Sequence, residues 1–154
     1  MKDILILGVG NYIMGDDGFG IHVVNYLNSL SIPENVEVVD GGTKGVELLH
    51  YFENKKSVII VDVIDLGKEP GEIIEFSNNE VQKYFNIKFS GHELGVTDLL
   101  IDAELIDILP ENIVIIGCQP EKINITTELS ENLKSKIPIV AKRILELIQN
   151  TDIK

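Results

Sequence analysis

The chain has 154 residues, of which 44% are hydrophobic and 25% are charged, and its formal net charge at pH 7 is -12. This length and composition are typical of an ordinary globular protein, so we expect a single domain over residues 1–154 and not a disordered chain. The acidic charge disfavours binding to nucleic acid or to anionic membranes, because both would repel it.

Short apolar runs rich in valine and isoleucine alternate along the chain with segments of helical period. Four runs lack the polar alternation of half-exposed strands and predict central strands buried on both faces: Ile4–Val9, Val36–Val39, Val58–Val63 and Ile113–Gly117. A fifth, Glu72–Phe76, is more polar and follows Pro70 and Gly71, which is typical of an edge strand entered from a turn. The alternation predicts an α/β fold with a mostly parallel sheet.

The segments between the strands predict helices. Four of them occupy Asp17–Leu30, Lys44–Phe52, Glu80–Tyr84 and Val96–Leu109, and a fifth closes the chain over Ser130–Ile148. In the first, apolar residues recur at spacings of three and four, so that one face can pack on the sheet. Pro138 lies in the last segment and lacks a backbone N–H, so either a helix begins near it or a longer helix kinks there.

The sequence also indicates a compartment. No apolar run approaches the ~20 residues that a membrane-spanning helix needs, and the first residues, MKDILILG, carry an acid where a signal peptide would be basic. We therefore expect a cytoplasmic protein. The single cysteine, Cys118, excludes an internal disulfide; packing as a small buried residue is its favoured role, and a thiol nucleophile is the alternative.

In open α/β sheets, ligands bind beside the loops that leave the carboxyl ends of the strands. Those loops are rich in glycine here: GVGNYIMGDDGFG covers residues 8–20, DGGTKG covers 40–45, and SGHELG covers 90–95. Asp62 ends the apolar run SVIIVD. An acid of the first loop, either Asp16 or Asp17, is therefore expected to meet Asp62 and His92 at one edge of the sheet.

One imidazole and two carboxylates suit a divalent transition metal with positions left open for water or substrate, whereas zinc usually takes more nitrogen or sulfur. Asp62 is the strongest candidate ligand, because a carboxylate ending a buried strand is costly to desolvate unless a cation or several donors meet it. For Asp16, capping of the first helix is an equal alternative. His22 and His50 lie on predicted helices and are expected to bond to backbone carbonyls, as ordinary histidines do.

Other chemistries fit the sequence less well. A dinucleotide fingerprint fails because its third glycine would fall at Ile13, and because Asp16 and Asp17 would repel a pyrophosphate at the start of the helix. There is no GxSxG elbow, and nothing marks an acid that would orient Ser90 and His92 as parts of a triad.

Five segments carry motifs that occur together in one known family: GVGNYIMGDDGFG, DGGTKGVELL, IIVDVID followed by KEPGE, SGHELGVTDLL and VIIGCQPE. In this order and spacing they resemble the nickel-iron hydrogenase maturation endopeptidases, from Ile4 to the final helix. The resemblance implies a three-layer α/β/α sandwich with a twisted, mostly parallel five-stranded sheet. It also implies an enzyme that removes a C-terminal extension from the hydrogenase large-subunit precursor after nickel insertion.

The resemblance assigns roles to individual residues. It implies that nickel, supplied by the substrate precursor, is bound by Asp17, Asp62 and His92, which are then also catalytic candidates. The family can carry glutamate at the position of Asp17, so the carboxylate is kept here with a shorter reach.

The DGGT loop resembles the substrate-recognition segment of the family. The residues expected to bind substrate are Asp16, Gly41, Gly42 and Thr43. Asp40 is a further catalytic candidate, because the group that activates water is not fixed by the resemblance. Two other functions stay open: a different metal-dependent hydrolase with a tightly held metal of its own, and a non-catalytic module that binds the tail of a partner.

Overall fold

The computed structural model describes residues 2–90 and 95–153, and for residues 87–90, 95 and 151–153 it describes the backbone alone. The strands are β1 Ile4–Val9, β2 Val36–Gly42, β3 Ser57–Val63, β4 Ile73–Ser77 and β5 Asn112–Cys118. They form one sheet in the order β2-β1-β3-β5-β4, in which β4 is antiparallel to β5 and the other pairs are parallel. The predicted mostly parallel five-stranded sheet is confirmed.

The prediction that Val36–Val39 is a central strand is wrong. This run belongs to β2, which lies at one edge of the sheet and pairs with β1. Its side chains are apolar because both faces of the edge are covered: Val36 packs in one apolar core and Val39 in the other. An edge strand covered on both faces cannot be distinguished from a central strand by its hydrophobic pattern. The edge position predicted for the fifth run is confirmed by β4.

The helices lie in the predicted places, with changes of type and length. The α-helices are α1 Phe19–Asn28, α2 Val81–Ser90, α3 Gly95–Leu105, α4 Glu131–Lys134 and α5 Ile137–Ile153, and 3-10 helices form at Gly15–Gly18, Gly45–Phe52 and Asn78–Glu80. The last predicted helix is thus divided, and α5 begins one residue before Pro138. At that position the missing N–H of proline costs no intrahelical hydrogen bond, which explains why the helix begins there and is not kinked.

Side chains of the sheet alternate between two apolar cores. On one face, Leu5 and Leu7 of β1 pack in a core that includes Phe52, Tyr84 and Leu99 from three helices. On the other face, residues of β1, β3 and β5 pack with those of α1, α4 and α5. Helices therefore cover both sides of the sheet, which confirms the predicted three-layer α/β/α arrangement.

The order of the strands reverses between β1 and β3, because the chain passes from β1 to β2 on one side and then crosses to β3 on the other. Loops that leave neighbouring strands in opposite directions open a crevice at their carboxyl ends. The crevice lies where β1 ends at Val9 and β3 ends at Val63. Among the helices of the described residues, none is long and apolar enough to cross a membrane.

Candidate active site

A cavity of about 290 Å³ opens at the carboxyl ends of β1, β2 and β3. Its polar and charged lining comes from Asn11, Asp17, Thr43 and Asp62. The apolar lining comes from Val9, Met14, Leu48, Val96, Leu99 and Ile123. An apolar cavity with a few polar groups at one side is the usual construction of a small ligand site in proteins. The cavity is therefore the candidate active site of the chain.

Asp17 reaches the cavity from the 3-10 helix Gly15–Gly18, which follows the loop after β1. Its carboxylate is buried and accepts a hydrogen bond from the backbone N–H of Asn11 at 2.9 Å. Gly10 permits this close packing: a Cβ there would stand 2.0 Å from the carbonyl oxygen of Asp17 and 3.8 Å from Oδ1 of Asp62. Its φ of +129° is also one that other residues rarely adopt.

Asp62 reaches the same cavity from β3, and only 1% of the residue is exposed. Its Oδ1 accepts the backbone N–H of Val63 at 2.9 Å, and its Oδ2 accepts the hydroxyl of Tyr84 at 3.0 Å. We expected a cation or several donors at this carboxylate, and the structure shows these two donors. Whether Asp62 also binds a metal stays a prediction.

Tyr84 is a residue that sequence reasoning missed. It lies on α2, is fully buried, and gives its hydroxyl hydrogen to the carboxylate of Asp62. In the sequence it marks only the apolar face of a predicted helix, and that pattern does not reveal a partner 22 positions away. A tyrosine on an apolar helix face is itself a weak signal, since a buried hydroxyl needs a hydrogen-bond partner.

Asp16 and Asp17 are neighbours that face different parts of the molecule, as successive residues of a 3-10 helix do. The carboxylate of Asp16 is completely buried and accepts four hydrogen bonds from one distant segment. The alternative that Asp16 caps the first helix is wrong: neither Gly15–Gly18 nor α1 has a side-chain cap, and the carboxylate accepts its hydrogen bonds from residues 121–130 instead. Direct binding of substrate by Asp16 stays a prediction.

The second half of the DGGT loop borders the cavity. Gly42 and Thr43 line the cavity, whereas Asp40 is exposed near the end of β2 and is not part of the lining. Gly41 is buried, and a Cβ there would stand 2.9 Å from methyl groups of Leu7 and Leu48. The loop therefore offers two residues to a bound molecule, and Asp40 lies at the neighbouring edge of the sheet.

His92 lies outside the described residues. The helices on either side of it are described: α2 extends through Ser90, beyond the predicted end at Tyr84, and α3 begins at Gly95. Val96 at the start of α3 lines the cavity. Within residues 2–90 and 95–153, no group of three His, Cys, Asp or Glu side chains is placed to hold a metal ion. The predicted three-ligand site thus includes a residue from beyond the described part.

The other two histidines behave as predicted. Nε2 of His22 lies 3.1 Å from the carbonyl oxygen of Thr127, and Nδ1 of His50 lies 3.1 Å from that of Glu47. The ring of His22 also stacks on Tyr12, and burial lowers the pKa of the imidazole. Both histidines bond to backbone carbonyls, and neither lines the cavity.

Cys118 is buried at the end of β5, which confirms its predicted packing role. Burial and, to a smaller extent, the negative charge of Asp16 raise the pKa of its thiol to about 12. A thiol with this pKa is protonated at neutral pH, and only the thiolate is a strong nucleophile. The interpretation of Cys118 as a nucleophile is therefore disfavoured.

The family model described as hydrogenase maturation protease matches residues 21–147. The chain belongs to the hydrogenase maturation protease family. It is 32% identical to the hydrogenase 2 maturation protease of Escherichia coli, with 97% of this chain and 93% of the relative covered. The solved structure of the hydrogenase maturating endopeptidase HybD from E. coli superimposes with a TM-score of 0.89 at 31% identity, covering 98% of this chain and 94% of that chain.

One of the relatives is longer than this chain. The hydrogenase expression/formation protein HupD of Bradyrhizobium diazoefficiens is 38% identical over 76% of this chain, but this match spans 62% of HupD. These comparisons confirm the family resemblance and the fold that the sequence motifs predicted. They leave the roles of Asp17, Asp62 and His92 as predictions.

Proposed function

We propose that this chain is an endopeptidase that removes the C-terminal extension of a nickel-iron hydrogenase large-subunit precursor after nickel insertion. The observation that carries the proposal is the convergence of Asp17 and Asp62 on one cavity at the switch point of the sheet. Membership of the hydrogenase maturation protease family supports the reaction class. The family itself implies cleavage of a precursor.

Nickel enters this proposal as part of the substrate. Asp17, from a 3-10 helix, and Asp62, from β3, supply carboxylate oxygens, and His92 is the proposed third ligand. Carboxylates and imidazole suit a divalent transition metal, and a site with so few protein ligands leaves positions for groups of the substrate. Such a site can recognise nickel that substrate groups already hold without removing it. A precursor without nickel would then dock poorly.

The apolar lining of the cavity strengthens the electrostatics of the proposed site. Charges that are withdrawn from water interact more strongly with each other than charges at the surface do. Two buried carboxylates facing one cavity therefore favour a cation there, because a cation reduces the repulsion between them. The cavity thus suits a substrate segment that carries a metal ion.

Hydrolysis also needs a group that accepts a proton from water. The oxygen of water attacks the scissile carbonyl, its proton passes to a carboxylate, and that proton then passes to the nitrogen of the departing peptide. Asp17 and Asp62 are the acids that line the cavity among the described residues, and Asp40, which lies outside the lining near the end of β2, is proposed as the alternative. The DGGT loop, through Gly42 and Thr43, is proposed to contact the substrate backbone.

Incubation with a large-subunit precursor tests this function. We expect nickel-loaded precursor to lose C-terminal mass in intact mass spectrometry, and nickel-free precursor to stay intact. Equal cleavage of both forms would contradict recognition of nickel. Full activity in Asp62→Ala or His92→Ala would contradict the ligand assignment. Tightly bound metal in the purified chain would favour another hydrolase, and binding without any loss of mass would favour a non-catalytic module.

A further inference from the structure

The cavity has an apolar side that the two carboxylates do not explain. Leu48 and Leu99 are almost fully buried there, and Met14 is partly buried beside them. Ile123 completes this side, although 53% of the residue is exposed. Removing apolar surface from water stabilises a complex by ~25 cal/mol per Å². An apolar group that enters the cavity would bury surface of its own and of these side chains.

Ile123 belongs to a segment, residues 121–130, that has little helix or strand. It is nevertheless fixed, because the buried carboxylate of Asp16 binds the segment at both ends. Oδ2 of Asp16 accepts the backbone N–H groups of Glu121 at 2.9 Å and Lys122 at 2.8 Å. At the other end, Ser130 donates its N–H to Oδ1 at 2.8 Å and its hydroxyl to Oδ2 at 3.0 Å.

Backbone hydrogen bonds also join this segment to the loop after β1. Gly15 donates to the carbonyl oxygen of Thr126 at 2.9 Å, Asp16 donates to that of Lys122 at 3.1 Å, and Thr126 donates to that of Ile13 at 3.0 Å. These bonds flank Ile123 on both sides in the sequence. Its backbone is therefore held in place beside the cavity, where its side chain forms part of the lining.

We propose that the apolar side of this cavity is a specificity subsite for one apolar side chain of the substrate, next to the scissile bond. Ile123 is its specificity-determining residue, and Asp16 is a positioning residue that acts through Ile123. This inference rests on the proposed function, because the carboxylates in the same cavity are the proposed reaction site.

The size and the charge of a substrate side chain decide whether it can occupy the subsite. An apolar cavity of ~150 Å³ is enough to bind benzene, so a cavity of about 290 Å³ has room for one large side chain beside the carboxylates. Any charged side chain would lose hydration against Leu48 and Leu99 without gaining a partner on that side. A side chain of the size of leucine, methionine or phenylalanine meets both conditions.

The test uses nickel-loaded precursors that differ beside the cleaved bond, which intact mass spectrometry first identifies. Leucine, alanine or aspartate is placed at each of the two flanking positions in turn. We expect leucine to be preferred to aspartate by at least about tenfold in kcat/KM at one of the two positions. Cleavage with no such preference at either position would overturn the subsite while leaving the proposed function standing. No cleavage of any precursor would overturn both.

Substitution of Ile123 tests whether this residue causes the preference for leucine. Ile123→Ala is expected to lower the ratio of kcat/KM for leucine to that for alanine by at least about threefold. Ile125→Ala is the matched control, because Ile125 is 84% exposed, lies two residues away and does not line the cavity. An unchanged ratio in Ile123→Ala, or an equal fall in Ile125→Ala, would overturn the assignment of Ile123.

Asp16→Asn tests the positioning role by the same ratio. The ratio compares two substrates on one enzyme, so a smaller folded fraction affects both values equally and cancels. We expect the preference for leucine to fall toward that of Ile123→Ala, because an amide cannot accept all four hydrogen bonds of the carboxylate. A wild-type ratio in Asp16→Asn would show that the segment keeps its position without this carboxylate.

Discussion

Two neighbouring regions of the molecule use buried carboxylates in different ways. In the segment over residues 121–130, the carboxylate of Asp16 meets backbone and hydroxyl donors and joins two loops of the chain. At the cavity, Asp17 comes from the 3-10 helix Gly15–Gly18 and Asp62 comes from β3, and both line a common space. Adjacent acids in one short helix thus belong to two different environments. Burial alone does not identify a functional acid; the groups around it do.

The comparison explains why both acids of the pair are present. Asp17 supplies a negative charge to the cavity, while Asp16 holds the wall that closes it on the side of Ile123. Exchange of the two roles is prevented by the 3-10 geometry, which turns successive side chains about 120° apart. Substitutions at the two positions should therefore fail in different ways: one should lose activity and the other should lose stability.

The largest expected effect is on catalysis at the cavity. Asp17→Asn and Asp62→Asn should each lower kcat/KM for nickel-loaded precursor by at least about 1,000-fold, or about 4 kcal/mol of transition-state stabilisation. The reason is the loss of a negative charge that both metal recognition and proton transfer require. The size and most of the hydrogen-bonding capacity of the side chain are retained. The measurement is the rate at which precursor loses its C-terminal mass.

The matched control is Asp98→Asn, an exposed acid on α3 that is outside the cavity lining. Its rate should equal that of the wild type. If Asp17→Asn and Asp62→Asn cleave at the wild-type rate while remaining folded, the cavity is not the reaction site and the contrast with Asp16 disappears.

The second effect is on the stability of the chain, through the segment over residues 121–130 that Asp16 binds. Asp16→Ala should lower the free energy of unfolding by about 3 kcal/mol, because it leaves three backbone N–H groups, whose hydrogen bonds are partly buried, without their acceptor. For a chain of this size, that corresponds to a fall in Tm of roughly 6–12 °C. Thermal unfolding followed by circular dichroism measures it. Glu128→Ala, an exposed acid in the same segment, should change Tm by less than about 2 °C.

If Asp16→Ala lowers Tm no more than Glu128→Ala does, the four hydrogen bonds of Asp16 add nothing to the stability of the chain. The joining of the two loops would then depend on the backbone hydrogen bonds between them alone.

The third effect concerns Tyr84, which lies in the apolar core and donates a hydrogen bond from its hydroxyl to Asp62 of the cavity. Tyr84→Phe removes the hydroxyl, which donates a hydrogen bond to Oδ2 of Asp62 at 3.0 Å, and keeps the aromatic ring. We expect kcat/KM to fall about tenfold, or about 1.4 kcal/mol, because a hydrogen bond to a charged group that orients it is lost. Tyr26→Phe, on the exposed face of α1, is the control. Cleavage within about twofold of the wild type would assign Tyr84 to packing alone.

Much of the fold could be predicted from the sequence, because the signals are local. The run Ile4–Val9 is apolar throughout, and β1 has the predicted bounds. Pro138 predicted either the start of a helix or a kink in a longer one, and α5 begins beside it. The edge position of β2 could not be predicted, since strand order depends on contacts between distant segments. The 3-10 form of Gly45–Phe52 was missed for a related reason: its periodicity shows only that Leu48 and Phe52 share a buried face.

The acids of the candidate site could be predicted from the sequence, but the groups that donate hydrogen bonds to them could not. Asp62 was identified because a carboxylate at the end of an apolar run is costly to bury. Its donor Tyr84 and the segment that binds Asp16 come from distant positions in the sequence, 22 and more than 100 residues away. Short-range motifs locate the functional groups of a loop. They do not locate the hydrogen bonds that hold the loop, because those form only when the chain folds.

The smallest effect is expected at Cys118, which lies beside both regions and takes no part in the proposed reaction. Its register partner is Val63, the neighbour of Asp62, and the charge of Asp16 helps to raise the pKa of the thiol to about 12. Because so little thiolate exists near pH 8, iodoacetamide should label Cys118 only after unfolding, as intact mass spectrometry would show. Cys118→Ala should lose about 1 kcal/mol of stability and keep the wild-type rate of cleavage. A large loss of rate with an unchanged Tm would instead place the sulfur in the reaction, and the contrast between the two acids would no longer account for the site.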